Sequence, residues 1–321
     1  MTNPSATLSV EHPGLPARLA LALRDIKIAH SVFALPFAIL AAFLATPALG
    51  AAGPADRTDL WKRFALQLAL VVACMVAART WAMLVNRIAD HRLDAANPRT
   101  ARRAVASGAL RQRDALGFAI ASALAFFGCC AGFLALDGNA WPLMLALPTL
   151  VWIAFYSFTK RFTALCHLFL GGALAASPLA AAIAVRPESL ADTPALWAIA
   201  AMVVLWVAGF DILYALQDVE FDREAGLFSL PARLGPRTAV WLSRAMHAGA
   251  AGALLLAWRF DARLGALFLS ACVVIAALLV LEHVVLARKG LRALPIAFFT
   301  INGVVSCLLG VVGVADLLLR A

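Results

Sequence analysis

Two acidic patterns with the same spacing occur in this sequence: Asn86-x3-Asp90-x3-Asp94 and Asp218-x3-Asp222. Residues four apart lie on the same face of a helix, so each pattern presents two carboxylates toward one point. Four carboxylates at one point would repel each other strongly unless a cation lay between them. Mg²⁺ is the hard divalent cation that prefers carboxylate oxygens, keeps several waters and shares phosphate groups. The sequence therefore predicts a magnesium site formed by all four carboxylates.

Basic residues near the two patterns suit a phosphate ligand. Arg103 follows the first pattern, Arg223 follows the second, and Lys160 and Arg161 end a hydrophobic stretch between them. Where metal ions bridge the oxygens of a diphosphate, Arg and Lys neutralise the remaining charge. The hydrophobic stretches around the patterns provide an apolar groove. The combination predicts a ligand with a diphosphate head and a long hydrocarbon tail, and polyprenyl diphosphates are such molecules.

The elements that must position these residues are membrane-spanning helices. Hydrophobic residues make up 63% of the 321 residues and the mean hydropathy is +0.88, whereas soluble domains are about 45–50% apolar. A transmembrane helix needs about 20 apolar residues. We therefore predict an all-α helical bundle of about nine transmembrane helices in one membrane domain, residues 21–321, after a lead-in of residues 1–20. The predicted spans are 29–50, 64–85, 115–136, 141–158, 163–185, 195–217, 239–258, 264–287 and 293–318.

The charges of the loops predict the orientation of the bundle and argue against a nucleic-acid partner. With a cytoplasmic N-terminus, most of the 27 Lys and Arg residues fall in cytoplasmic segments, as the positive-inside rule requires. Topology thus explains the net charge of +9, and no basic extramembrane domain is left to bind nucleic acid. Both acidic patterns follow even-numbered spans, the second and the sixth. They are therefore expected on the same, cytoplasmic side of the membrane.

Two other classes of membrane protein also use acidic residues. An ion- or proton-coupled transporter binds its ion at carboxylates within the membrane, whereas the patterns here lie at one edge, beside basic residues. Asp211 is an exception, because it lies within a predicted span, where an ionisable group is expensive and usually functional. A membrane phosphotransferase for CDP-alcohols packs its Asp residues into one stretch, whereas here they are far apart. The sequence favours diphosphate chemistry, with the transporter as the alternative.

The two patterns resemble the paired motifs of the UbiA superfamily of intramembrane aromatic prenyltransferases. The first is the run NRIADHRLD at 86–94 and the second is the run DVEFD at 218–222. The longer run DILYALQDVEFD at 211–222 and the run IAHSVFALPFA at 28–38 are similar to bacterial 4-hydroxybenzoate polyprenyltransferase-like members. Those members include the group assigned to the futalosine route of menaquinone synthesis. The resemblance covers about residues 20–320, and the predicted number of spans also matches.

The resemblance implies Mg²⁺-dependent transfer of a polyprenyl group to an aromatic ring, in the inner membrane of a bacterium. It assigns metal binding and catalysis to the four carboxylates, which are Asp90, Asp94, Asp218 and Asp222. Candidates to contact the diphosphate are Arg103, Lys160, Arg161 and Arg223. Asn86 and Lys27 would orient the acceptor, while the aromatic faces of Tyr156 and Tyr214 would stabilise an allylic carbocation. The partners implied are a polyprenyl diphosphate, an aromatic acid and the membrane lipid.

The acceptor is the part of the expectation that the sequence leaves open. We expect 4-hydroxybenzoate, in the ubiquinone route, with a dihydroxynaphthoate of menaquinone synthesis as the alternative. Many 4-hydroxybenzoate enzymes carry an Asp-Lys-Pro-Ile-Gly run before the first span. Here the corresponding run is RDIKI at 24–28, which lacks the proline and the glycine but keeps a basic residue at Lys27. This departure bears on the acceptor and not on the diphosphate chemistry.

Overall fold

The computed structural model describes residues 14–26, 33–46, 54–294 and 296–320. Every regular element within these ranges is helical, which confirms the predicted all-α class. In chain order the α-helices are α1 (Leu15–Asp25), α2 (Leu35–Leu44), α3 (Pro54–Ala89), α4 (His91–Ala96), α5 (Gln112–Asp137), α6 (Trp141–Thr159), α7 (Cys166–Val185), α8 (Ser189–Asp192), α9 (Ala195–Ala215), α10 (Val219–Glu224), α11 (Leu230–Leu234), α12 (Pro236–Phe260), α13 (Ala266–Lys289) and α14 (Asn302–Leu319). A 3₁₀ turn, Leu216–Asp218, joins α9 to α10, and a π-helical segment, Ile296–Ile301, precedes α14.

Eight helices of the described residues are long and apolar enough to cross a membrane, and they correspond to the last eight predicted spans. The first predicted span, 29–50, has no counterpart among these eight helices. Its described part holds only the 10-residue helix α2, while residues 29–32 and 47–50 lie outside the described ranges. A 10-residue helix is about 15 Å long, which is half the thickness of the hydrocarbon core.

Two distant arginines, both in connections between long helices, satisfy the carbonyl groups at the end of helix α2. Nε of Arg186 donates to the carbonyl oxygen of Ala45 at 2.8 Å, and the guanidinium of Arg263 donates to that of Leu44 at 2.8 Å. The final four carbonyl groups of a helix have no partner within the helix, so donors from other elements satisfy them here. These contacts are not predictable from local sequence, because the arginines follow α2 by more than 140 residues.

The long helices alternate in direction, so the connections between them gather at two ends of the bundle. One end, which we call the motif end, holds both acidic patterns and the connections 90–111, 160–165 and 216–235. The far end holds the connections 138–140, 186–194 and 261–265. Four spanning helices, α5, α6, α7 and α9, separate the first pattern from the second. An even number places both patterns at the same end, as the sequence predicts.

Helix α9 is the centre of the bundle and leads directly into the second pattern. In its most apolar 18-residue segment, 72% of the segment is buried. In the corresponding segments of the other spanning helices, at most 44% is buried. It packs between α7 and α12, and Gly171 of α7 makes this close approach possible. A Cβ atom added at Gly171 would lie 2.4 Å from the carbonyl oxygen of Val204 in α9. Small residues at helix interfaces let backbones approach in this way.

The substitution Gly171→Ala is expected to lower the stability of the bundle by about 1–3 kcal/mol, the usual cost of overpacking. The neighbouring atom is backbone, so it has no alternative rotamer to adopt. Thermal unfolding of the protein in detergent, followed by fluorescence, would measure the effect. Gly252→Ala is the matched control, because a Cβ atom there meets nothing within 4 Å. Equal unfolding temperatures for the two variants would contradict the packing argument.

Candidate active site

A single cavity of about 1070 Å³ brings the two acidic patterns together. All four of the predicted metal-binding carboxylates line it, and they lie at the motif end. Farther in, the wall is mostly apolar and includes Val71, Phe133 and Leu145, although Arg79 also lines it. Val71 precedes the end of α3 by 18 residues, which is about 27 Å along the helix axis. The cavity therefore has a charged end and a long hydrocarbon-like interior.

Asp90 of the first pattern is buried and held by two cations. Only 2% of the residue is exposed. Nζ of Lys160 lies 2.8 Å from one carboxylate oxygen, and the guanidinium of Arg161 lies 2.7 Å from the other. The amide nitrogen of Asn86 donates to the same carboxylate at 3.1 Å. Asp90 joins α3 to α4, and its backbone N–H donates to the carbonyl oxygen of Asn86. The predicted four-residue spacing therefore keeps the side chains of Asn86 and Asp90 on one face.

Asp94 is held by the connection that follows it. One guanidinium nitrogen of Arg103 lies 2.8 and 2.9 Å from the two carboxylate oxygens. The connection is fixed in turn by Asp25 at the end of α1, whose carboxylate accepts the backbone N–H of Ala104 at 2.9 Å and lies 3.3 Å from Nε of Arg87. Helix α1 thus contacts the site. The predicted boundary of the lead-in, residue 20, lies in the middle of this helix.

The second pattern is bridged to the first by residues that sequence reasoning did not select. Arg99 contacts both carboxylate oxygens of Asp218, at 2.9 and 2.5 Å, and the side-chain amide of Asn97 donates to the same group at 3.0 Å. Asp222 accepts a hydrogen bond of 2.5 Å from the hydroxyl of Ser229. Arg99 and Asn97 lie just after Asp94, so a search of the loop for further polar residues could have identified them, but not their partner.

Arg99 keeps its charge in this environment. Burial lowers the pKa of its guanidinium, but the hydrogen bonds to Asp218 and the nearby charges together outweigh that effect and leave the pKa above its usual value. The guanidinium also donates to the hydroxyl of Tyr214 at 3.1 Å and lies 5.3 Å from the centre of that ring. The ring of Tyr214 in turn packs on Phe298, with 4.3 Å between centroids. A cation and an aromatic face are thus held beside the second pattern.

The structure brings most of the predicted site residues to the cavity, but not all. Asn86, Arg103, Lys160, Tyr156 and Tyr214 line it. Arg161 supports Asp90 from outside the lining, and its guanidinium also donates to two backbone carbonyls. Arg223 does not line the cavity, since its Nε donates to the carbonyl of Ala232 at 3.1 Å. Lys27 lies outside the described residues.

The donor groups at the motif end fit a hard divalent cation that is shared with a phosphate. They are carboxylate and amide oxygens, the ligands that Mg²⁺ prefers. Within the described residues no three His, Cys, Asp or Glu side chains converge on one point, so an ion here would complete its coordination with other oxygens. Mg²⁺ commonly binds in this way, through one or two carboxylates plus substrate phosphates and water.

Comparisons with known proteins agree with this geometry. Residues 31–304 match the model of the UbiA prenyltransferase family. The chain is 30% identical over 168 residues to a 4-hydroxybenzoate octaprenyltransferase of Nitrosomonas europaea, covering 52% of this chain and 55% of that protein. It is 31% identical over 161 residues to one of Francisella tularensis subsp. novicida, covering 50% and 54%. The chain therefore spans about half the length of the curated relatives it matches.

Solved structures extend the likeness over almost the whole chain. A UbiA homolog from Aeropyrum pernix, in its apo form, is 31% identical with a TM-score of 0.76, and the alignment covers 90% of this chain and 98% of that one. A UbiA homolog from Archaeoglobus fulgidus bound to GPP and Mg²⁺ is 20% identical with a TM-score of 0.65, covering 92% and 99%. At that identity the second likeness concerns the fold.

Proposed function

Because this chain belongs to the UbiA prenyltransferase family, we propose that it transfers a polyprenyl group from a polyprenyl diphosphate to the ring of an aromatic acid. The observation that carries the proposal is the cavity, which has both acidic patterns at one end and an apolar interior. The charged end suits the diphosphate and the interior suits the hydrocarbon tail. Membrane lipid surrounds the bundle, and the motif end faces the cytoplasm of a bacterial cell.

The cofactor of the proposed reaction is Mg²⁺. The four carboxylates of the patterns would hold about two ions against the diphosphate, a role supported by the fold neighbour bound to GPP and Mg²⁺. When bound, the metal neutralises the diphosphate and improves it as a leaving group. We assign catalytic and metal-binding roles to Asp90, Asp94, Asp218 and Asp222 on this basis.

Basic residues of the cavity would receive the charge of the departing diphosphate. Lys160, Arg99 and Arg103 each pair with a carboxylate of the patterns, and each lines the cavity. With metal held by the carboxylates, these side chains would be free to donate to phosphate oxygens. Donors that are already in place where negative charge develops are often the largest contribution to catalysis. Arg161 would act through Asp90, which it orients.

Aromatic faces and an amide would then guide the allylic carbocation and the acceptor. Tyr214 and Tyr156 line the cavity, and the faces of such rings attract a cation. The amide of Asn86 is fixed between Asp90 and Arg87, so it can orient a hydroxyl of the acceptor. Lys27 is assigned the same role from the family resemblance. The cation attacks a ring carbon beside the hydroxyl, and the ring then loses a proton.

The acceptor we propose is 4-hydroxybenzoate, as the names of the curated relatives suggest, with a dihydroxynaphthoate as the alternative. Parallel incubations of isolated membranes with geranyl diphosphate and each labelled acid would decide between them. A prenylated benzoate formed with the higher kcat/KM would support the ubiquinone route. A prenylated naphthoate formed with the higher kcat/KM would instead assign the protein to menaquinone synthesis. No lipid-soluble product with either acid would contradict the proposed reaction.

The substitution Arg103→Ala is expected to raise KM for the prenyl diphosphate by about 10- to 100-fold, since a hydrogen bond to a charged group contributes about 1.5–3 kcal/mol. Initial rates at varied prenyl diphosphate would measure it. Arg223→Ala is the matched control, because Arg223 lies at the same end but outside the cavity. An unchanged KM in the Arg103 variant would remove Arg103 from the diphosphate site.

A further inference from the structure

A second, smaller pocket lies outside the central cavity, at the motif end. It has a volume of about 470 Å³, and we call it the α12 pocket. Two arginines of α12, Arg237 and Arg244, line it together with Trp241 of the same helix, Leu216 of the 3₁₀ turn after α9 and Leu291 of the segment after α13. None of these five residues lines the central cavity, so the proposed reaction does not use them.

The α12 pocket lies where α12 enters the membrane. The helix has 25 residues, which is about 37 Å along its axis, whereas the hydrocarbon core is about 30 Å thick. The helix is therefore long enough to extend into the headgroup region, and Arg237 is its second residue. Trp241, which is 60% exposed, follows one turn later, and tryptophan is enriched at the membrane–water interface. The pocket thus opens at the level of the lipid headgroups.

The two arginines lie on the same face of α12. They are seven residues apart, which is two helical turns and about 10 Å along the axis. Helical side chains point toward the N-terminus of their helix, so the side chain of Arg244 extends from within the span toward the motif end. Its guanidinium lies 4.5 Å from the centre of the Trp241 ring, three residues nearer the start of the helix. Both guanidinium groups are therefore available on the pocket side of α12.

Neither arginine has a carboxylate partner. Among the described residues neither forms an ion pair. The acidic residues of the stretch 236–294 are Asp261, at the far end, and Glu282, buried within α13. The same stretch adds three more basic residues at the motif end, Arg288, Lys289 and Arg292. An ionisable group inside a span normally pairs with another or marks a functional site, so this surface lacks an anion.

We propose that the α12 pocket binds the headgroup of an anionic phospholipid. The phosphodiester accepts charge-assisted hydrogen bonds from the two arginines, and the exposed side chain of Leu291 contacts the acyl chains. Basic pockets between spanning helices bind headgroups of this class. The positive-inside rule accounts for basic loops, but it does not require a pocket or an arginine within a span. Leu216 begins the turn that ends at Asp218, so the bound lipid lies behind the second acidic pattern.

Native mass spectrometry of the purified protein in detergent tests this site without any need for turnover. The probes are phosphatidylglycerol, phosphatidylcholine with the same acyl chains, and glycerol 3-phosphate as the free headgroup. The wild type is expected to bind the first phosphatidylglycerol about tenfold more tightly than phosphatidylcholine, since each nearby basic residue contributes about fivefold. It is expected to bind glycerol 3-phosphate far more weakly than either lipid.

Variants of the two arginines test whether the α12 pocket causes this preference. The double variant Arg237→Gln/Arg244→Gln is expected to bind the two lipids equally. Arg237→Gln alone, at an exposed position, is expected to lose a few-fold in affinity for phosphatidylglycerol with no effect on packing. Arg244→Lys keeps the charge and is expected to retain most of the preference. Thermal unfolding in detergent would show that each variant is folded.

The matched control is Arg233→Gln. Arg233 also lies at the motif end, and its guanidinium lies 4.5 Å from the centre of the Phe228 ring, but it lines neither the α12 pocket nor the central cavity. The control is expected to keep the wild-type preference. Equal affinity of the wild type for the two lipids, equal loss in the control and the double variant, or glycerol 3-phosphate bound as tightly as phosphatidylglycerol would overturn the proposal.

Two further readouts separate the α12 pocket from other locations of the lipid. Geranyl thiolodiphosphate with Mg²⁺ is expected to leave phosphatidylglycerol binding unchanged, whereas displacement of the lipid would place it in the central cavity and overturn the proposal. The same spectra report the oligomeric state. A dimer that dissociates in the double variant, without any preference for phosphatidylglycerol, would assign the pocket to a contact between two copies of the chain and would also overturn it.

Discussion

Replacement of Asp218 by Asn is expected to lower the rate of prenyl transfer about a thousandfold, the scale seen when one preorganised electrostatic contact is removed from a reaction centre. The variant loses a negative charge that would hold the metal against the diphosphate. It keeps the size of the side chain and an oxygen that can accept from Arg99 and Asn97, the present partners of Asp218. The loss is therefore expected in kcat/KM and not in folding, and initial rates of product formation would measure it.

The control for this variant is Asp192→Asn at the far end of the bundle. The hydrogen bond from Arg186 lowers the pKa of Asp192 to about 2, so its substitution also removes a full negative charge at the assay pH. Asp192 is remote from the cavity, and the control is expected to retain wild-type rates. Turnover by the Asp218 variant within tenfold of the control would contradict the shared-metal site. Thermal unfolding of both variants would show that each remains folded.

Removal of divalent cations by EDTA is expected to abolish transfer while leaving the protein folded. Transfer should stop because four carboxylates and a diphosphate repel each other without a cation between them. The fold should persist because each carboxylate of the patterns already has a protein partner: Lys160 and Arg161 for Asp90, Arg103 for Asp94, Arg99 for Asp218 and Ser229 for Asp222.

Activity and unfolding temperature would be measured on the same treated sample. Addition of Mg²⁺ in excess of EDTA is expected to restore the rate, whereas NaCl at equal ionic strength is not. Full activity in EDTA would refute a metal-dependent reaction. A fall of more than a few degrees in unfolding temperature would instead indicate a structural metal, contrary to the ion pairs described here.

The features that the sequence predicted depend on local patterns. The spanning helices follow from runs of apolar residues, and the four-residue spacing of each acidic pattern follows from the geometry of a helix. The common location of Asp90 and Asp218 required only an even number of spans between them. Each of these inferences uses information carried by neighbouring residues, and for that reason each was accessible without a structure.

The features that the sequence did not predict depend on long-range contacts. Arg99 contacts Asp218, which follows it by 119 residues. Arg186 and Arg263 donate to carbonyl groups at the end of α2 from connections far along the chain. Arg223 follows the second pattern as a diphosphate ligand would, yet its guanidinium turns to a backbone carbonyl.

The central claim is that the two acidic patterns bind one metal–diphosphate group, and anomalous diffraction from Mn²⁺ tests it most directly. Crystals would be grown with Mn²⁺ and geranyl thiolodiphosphate, an analogue that resists ionisation. The account predicts manganese peaks within about 2–2.5 Å of carboxylate oxygens from both patterns and of diphosphate oxygens, with the geranyl chain in the apolar interior. Manganese at only one pattern, or a diphosphate bound away from Asp90 and Asp218, would contradict it.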